Sequence, residues 1–140
     1  MKRWQLLVLA VFIGLIAFVC WRVSTKRAQQ RREAAYQVVL RSYLDILKPG
    51  MTRKEVEDYL HSQGSKIARM CCVERKELAQ SVYDDLIKIG QEDAPWFCSE
   101  KNIYVAFQFS GLKQNGPAGE ANPSDKLNSV TLYRRLEGCL

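Results

Sequence analysis

The apolar positions of this chain fall into two regimes: one unbroken run near the start, then short segments with helical or strand spacing. Residues 6–21 are apolar or Gly throughout and carry no charge. Taken over residues 4–23 the run is 20 residues long, a helix of about 30 Å, which matches the hydrocarbon thickness of a bilayer. Trp4 and Trp21 stand at its two ends, where indole rings favour the headgroup interface, with Leu6, Phe12 and Phe18 between them. The pattern predicts a transmembrane anchor over 1–23. A cleaved signal peptide is the competing reading, because Lys2 and Arg3 suit one, yet no small-x-small cleavage site follows the apolar run.

Residues 22–32 are polar all round, and 24–35 are predicted to form a basic, solvated stalk. From Tyr36 an apolar stripe returns through Val39, Leu40, Tyr43, Leu44 and Leu47, one face of a helix that Pro49-Gly50 ends. The soluble domain is therefore assigned to 36–140. Thr52 is a helix N-cap with Glu55 three residues on, and Met51 and Val56 are placed as a hydrophobic staple around it. Gly64 supplies the stop. Residues 65–73 alternate weakly and read as a strand, whereas 75–89 return to helical spacing through Leu78, Val82, Leu86 and Ile89. Residues 102–109 alternate clearly, with Ile103, Val105, Phe107 and Phe109 on one face, and 127–136 form a further strand with Val130 and Leu132 inward. Between them, 111–125 is a loop rich in Gly, Pro, Asn and Ser. The fold class expected is α+β: a transmembrane helix, then a two-layer domain of two helices on a small antiparallel sheet of about three strands. An extra helix over 75–89 is inserted between strands.

Charge changes the picture only once it is located. The net charge of +6 suggests a nucleic-acid footprint, but Lys2, Arg3, Arg22, Lys26, Arg27, Arg31 and Arg32 fall within residues 2–32, where there is no acid. Residues 33–140 carry 14 basic residues against 15 acids, a net of −1. The basic excess thus belongs to the anchor, where it suits anionic lipid headgroups, and nucleic acid is set aside as a partner. The lipid bilayer and a protein at the membrane surface are the partners expected.

Five cysteines are present: Cys20 in the apolar run, and Cys71, Cys72, Cys98 and Cys139 in the domain. Pairing Val105 with Leu132 and Phe107 with Val130 puts the inward residues of the two clear strands opposite each other. Extended outward, that register sets Cys98 opposite Cys139, although registers shifted by two residues satisfy the same parity. A disulfide Cys98–Cys139 and two buried free thiols are the two readings. The adjacent pair Cys71-Cys72 lacks the Cys-x-x-Cys spacing of zinc or thioredoxin-like sites.

Signs of catalysis are sparse. His61 is the only histidine and reads as a solvated residue near a helix end, and Asp84-Asp85 and Glu92-Asp93 read as a solvated face. There is no phosphate loop, no Gly-x-Ser-x-Gly and no His-Glu-x-x-His. A non-catalytic protein without a cofactor or metal is expected. The segment 92–98 joins acids, a proline turn and two large aromatics, Trp96 and Phe97; these either cover the sheet edge or contact a partner.

The helix start Gly50-Met51-Thr52, with Glu55, Val56, Leu60 and then Gly64, resembles the SmpA/OmlA (BamE-like) family of small envelope proteins. The resemblance covers about 15 residues specifically; beyond them only the order of elements agrees. It implies two helices packed on a three-stranded antiparallel sheet and a role in envelope assembly. Two features depart from the family: the apolar run replaces a lipidated cysteine, and the 75–89 helix is additional. The expected function is a membrane-anchored, non-catalytic interaction or scaffold protein of the bacterial cell envelope. The alternative is a thiol-based redox or metal-binding membrane protein using Cys71, Cys72, Cys98 and Cys139. The expected location is the bacterial inner membrane, single-pass, with the domain extracytoplasmic (periplasmic). The basic stalk favours the opposite, cytoplasmic orientation.

Overall fold

A computed structural model of the chain describes residues 3–71, 83–111 and 121–140, without the side chains of residues 3, 5–10 and 71. Two compact units make up the chain, Met1–Gln37 and Val38–Leu140. Helix α1 is Arg3–Ile46 and helix α2 is Arg53–Ser62. Four strands follow, β1 Ala68–Cys71, β2 Tyr83–Glu92, β3 Glu100–Ser110 and β4 Lys126–Glu137, forming one antiparallel sheet in the order β1-β2-β3-β4.

The transmembrane expectation does not hold. Among the described residues no helix is long and apolar enough to cross a membrane. Arg22, Lys26 and Arg27 follow the apolar run directly. Trp4, Phe12, Phe18 and Trp21 are exposed, and the side chain of Leu6 lies outside those described. A transmembrane anchor and a single-pass inner-membrane location lose their basis. Residues 24–35 are helical, part of α1.

In the second unit, Pro49 and Gly50 end α1, and Lys48 Nζ donates to the Leu44 carbonyl at 2.7 Å, capping the last turn. Gly50 takes φ +92°, a left-handed value that a side chain would strain. Thr52 caps α2 reciprocally: its amide donates to Glu55 Oε2 at 2.7 Å, and its hydroxyl accepts from the Glu55 amide at 3.3 Å. The Thr52 hydroxyl also donates to Glu55 Oε2 at 2.6 Å, and this bond, with the one from the Thr52 amide, holds the Glu55 carboxylate below its ordinary range. At the other end Gly64, φ +70°, lets the Ser65 amide donate back to the Leu60 carbonyl at 3.1 Å.

One face of the sheet carries the core. Leu47, Val56, Leu60, Ile87, Val105, Phe107, Phe109, Leu127 and Val130 are buried together, with Val39, Leu40, Tyr43 and Met51 packed against them. Tyr43 meets Phe107 edge-to-face at 5.4 Å. Val105 is paired with Leu132, and Phe107 with Val130. The opposite face holds a smaller cluster, Leu86 and Ala106, over which Met70, Tyr104 and Tyr133 pack.

Two further expectations are corrected. The sheet has four strands instead of three, and 83–89 is strand instead of inserted helix; residues 75–82 lie outside the described residues, as does 112–120 of the long loop. Residues 84–87 of the inner strand β2 are buried on both faces and show no alternation, and the three-residue spacing of Leu86 and Ile89 is incidental to a strand.

Candidate functional site

Charged side chains gather at the end of the sheet where β2 and β4 begin. Asp84 and Asp85, expected on a solvated face, are both fully buried. Asp84 Oδ1 accepts from the Phe109 amide at 3.2 Å. Arg53, at the first position of α2 and 1% exposed, donates to Asp85 Oδ1 at 2.7 Å and to the Tyr83 carbonyl. It also lies 3.5 Å from Asp125 Oδ2, and its guanidinium stands 4.0 Å from the Phe109 ring centroid. Arg69 extends the network, with Nε 3.6 Å from Asp85 and Nη2 2.8 Å from Glu57. Burial pushes the Asp85 carboxyl up to about 6; Arg53 opposes the rise, Glu57 adds to it, and Arg69 opposes it.

A raised carboxyl beside a second carboxyl is how many acid–base sites are built. Asp85, however, is sealed between α2 and the sheet with no exposed surface, so no substrate can reach it. The network joins α2 to the sheet. It also explains why these residues escaped the sequence reading: only tertiary contact reveals an ion pair between Arg53 and Asp85, 32 positions apart. The one available signal was two acids opening an apolar strand, since buried acids require cationic partners.

The opposite end of the sheet is built differently. The segment after β2 makes a tight turn, in which the Cys98 amide donates to the Pro95 carbonyl at 2.9 Å. Trp96 and Phe97 therefore occupy the two central positions of a four-residue turn, from which side chains project. Cys98 and Cys139 form a disulfide, with Cα atoms 3.9 Å apart and 41 positions between them in sequence. Backbone bonds flank it: the Leu140 amide donates to the Phe97 carbonyl at 3.0 Å, and the Ser99 amide to the Glu137 carbonyl at 3.0 Å. Gly138, φ +60°, makes this closure possible, because a Cβ there would lie 2.5 Å from Ser99 Oγ.

On this fixed turn Trp96 is 92% exposed and stacks edge-to-face with Phe97 at 5.8 Å. It covers no sheet edge. Leu140 is also fully exposed and Phe97 and Leu136 are partly so, giving this end several large apolar side chains that the chain itself leaves open or half-covered. Beside them Glu92 is tied to Lys101 at 2.8 Å.

The remaining candidates come out as follows. His61 is exposed in the last turn of α2. Cys20 is an exposed free thiol on α1; Cys71 ends β1, and Cys72 lies outside the described residues. Among the described residues no group of three His, Cys, Asp or Glu is placed to hold a metal. Two of the four cysteines invoked for a redox or metal centre are bonded to each other.

No family model, curated protein or solved structure matches this chain.

Proposed function

We propose that this chain is a non-catalytic interaction domain, with the stapled Trp96–Phe97 turn as its contact for a protein partner. The observation that carries the reading is Trp96, 92% exposed yet held in place by a disulfide and flanking backbone bonds. Leaving a side chain of that size in water costs solvation free energy in the free protein. Trp is also the residue type most enriched where binding energy concentrates. Fixing the turn in advance reduces the entropy lost on association. A structural disulfide suits an oxidising compartment, and the resemblance of the 50–64 helix start to envelope-assembly proteins agrees with such a setting.

The test is site-specific crosslinking in the native cells. A photoreactive phenylalanine analogue at position 96 gives a discrete adduct with another protein on irradiation, whereas the same analogue at exposed Ser62 does not. Equal, diffuse labelling from both positions contradicts the reading.

A further inference from the structure

The bond that staples the Trp96 turn lies outside the strand ladder it closes. The register of β3 and β4 ends at Glu100 opposite Glu137, so each cysteine stands two residues beyond the last pair. Neither belongs to the buried clusters on the two faces of the sheet. Opening the bond therefore removes no ladder pair and no core side chain. Cys139 is exposed, between exposed Gly138 and Leu140, whereas Cys98 is half-buried. A thiolate arriving from solvent reaches the Cys139 sulfur, and exposed disulfides are the ones most readily exchanged. What the bond does hold is residues 138–140. Among the described residues, their other ties to the turn are hydrogen bonds. The Leu140 amide donates to the Phe97 carbonyl at 3.0 Å, and the Gly138 carbonyl accepts from the Ser99 amide and hydroxyl, each at 3.2 Å. Water competes for such groups, so they hold the segment weakly once the covalent bond is gone. The Phe97 carbonyl then loses its donor, while Cys98 keeps its amide bond to the Pro95 carbonyl.

We propose that the Cys98–Cys139 bond is a redox switch on the Trp96–Phe97 contact, opened by a dithiol reductant. The switch rests on the reading of that turn as the site of a protein partner. A reductant thiolate attacks Cys139 Sγ; the Cys98–Cys139 bond breaks as a mixed disulfide forms, and Cys98 leaves as a thiolate that takes up a proton. The second thiol of the reductant, as its thiolate, then displaces Cys139 and closes the reductant's own disulfide. Two electrons pass from the dithiol to the cysteine pair, and a disulfide oxidant of the same class reverses both steps. In the oxidised chain the turn is fixed before it meets the partner. In the reduced chain residues 138–140 come away, and the turn must be ordered at the moment of binding. That added entropy loss weakens association although every contact side chain is still present. The β3–β4 ladder and the core beneath it stay in place, so the switch acts on the contact and leaves the rest of the domain folded.

The test uses the full chain in two arms. In the first, dithiothreitol opens the bond in the purified chain, and thiol trapping with hydrogen exchange is read by mass spectrometry. Amide exchange in peptides covering 95–99 and 138–140 should rise about tenfold or more, while amides of Val105 and Phe107 stay protected, the pattern of a local opening. Reduction that occurs only when the β3 amides also lose protection, or that leaves exchange at 95–99 unchanged, overturns the switch. In the second arm, the photoreactive analogue at position 96 is irradiated in native-cell extract with the chain oxidised, reduced, and reoxidised. The adduct should fall several-fold on reduction and return on reoxidation. Cys98→Ser with Cys139→Ser, in extract without dithiothreitol, should give the reduced chain's low yield, which separates this bond from any disulfide of the partner. An equally strong adduct from oxidised, reduced and serine-substituted chains overturns the switch and leaves the reading of the turn intact. No adduct even from the oxidised chain overturns both.

Discussion

The two ends of the sheet dispose of their costly side chains in opposite ways. Where β2 and β4 begin, charged groups that prefer water are buried: Arg53, Asp85 and Asp125 sit against one another and the Phe109 ring. Where β2 and β4 finish, apolar groups that prefer burial are exposed, with Trp96 and Leu140 almost entirely in solvent. The first end needs its network to hold α2 on the sheet. The second is held by a covalent bond and main-chain contacts, so its aromatics contribute little to folding and are free for another role. Substitutions of the side chains that the two ends treat differently should therefore separate, Arg53 acting on stability and Trp96 on association.

The largest effect is expected at Arg53. Arg53→Met leaves Asp85 and Asp125 buried without their cation, a loss of about 3–5 kcal/mol, read from urea unfolding. Next comes the staple. Cys98→Ser with Cys139→Ser releases a loop closed across 41 positions and should cost roughly 2–4 kcal/mol, read in the same assay. If the staple removal costs more than the Arg53 change, the assignment of stability to the first end fails.

A smaller effect follows from the Asp85 carboxyl, pushed up to about 6 in the folded chain from an ordinary value of 3.8. The folded state then holds this proton more tightly than the unfolded chain. Its contribution is fully present below the unfolded value and is lost as pH rises through about 6. Unfolding free energy should be higher at mildly acid pH than at neutrality by on the order of 1 kcal/mol from this group. Asp85→Asn should flatten that slope; an unchanged slope would place the titration elsewhere. Smallest in stability is Trp96→Ala, expected to lie within about 0.5 kcal/mol of the parent.

What could be read from the sequence was local. The α2 cap is specified within a few residues, Thr52 with Glu55 and then Gly64, and those contacts are present. β3 alternates because its core face packs under the helices; parity allowed the pairing of Val105 with Leu132 among registers two residues apart, and the structure has that one. β2 was illegible because its buried positions 84–87 join two acids to Leu86 and Ile87, whereas β3, also an inner strand, keeps a large apolar residue at every second position from Ile103 to Phe109. The Arg53 network could not be read because it joins residues from three separate segments. The apolar run has the composition of a membrane span, which no helix among the described residues supports. Trp96 and Phe97 were visible as a composition anomaly, but whether they covered an edge or faced solvent depended on the turn.

The most direct test of the central claim is oxidative footprinting of Trp96, the most solvent-exposed of the aromatic rings near the staple. In the purified chain its indole should oxidise rapidly under hydroxyl radicals; in native cells at the same dose, an engaged partner should protect it several-fold, while exposed Trp4 serves as the reference. Equal oxidation of Trp96 in both settings, relative to that reference, would contradict the account.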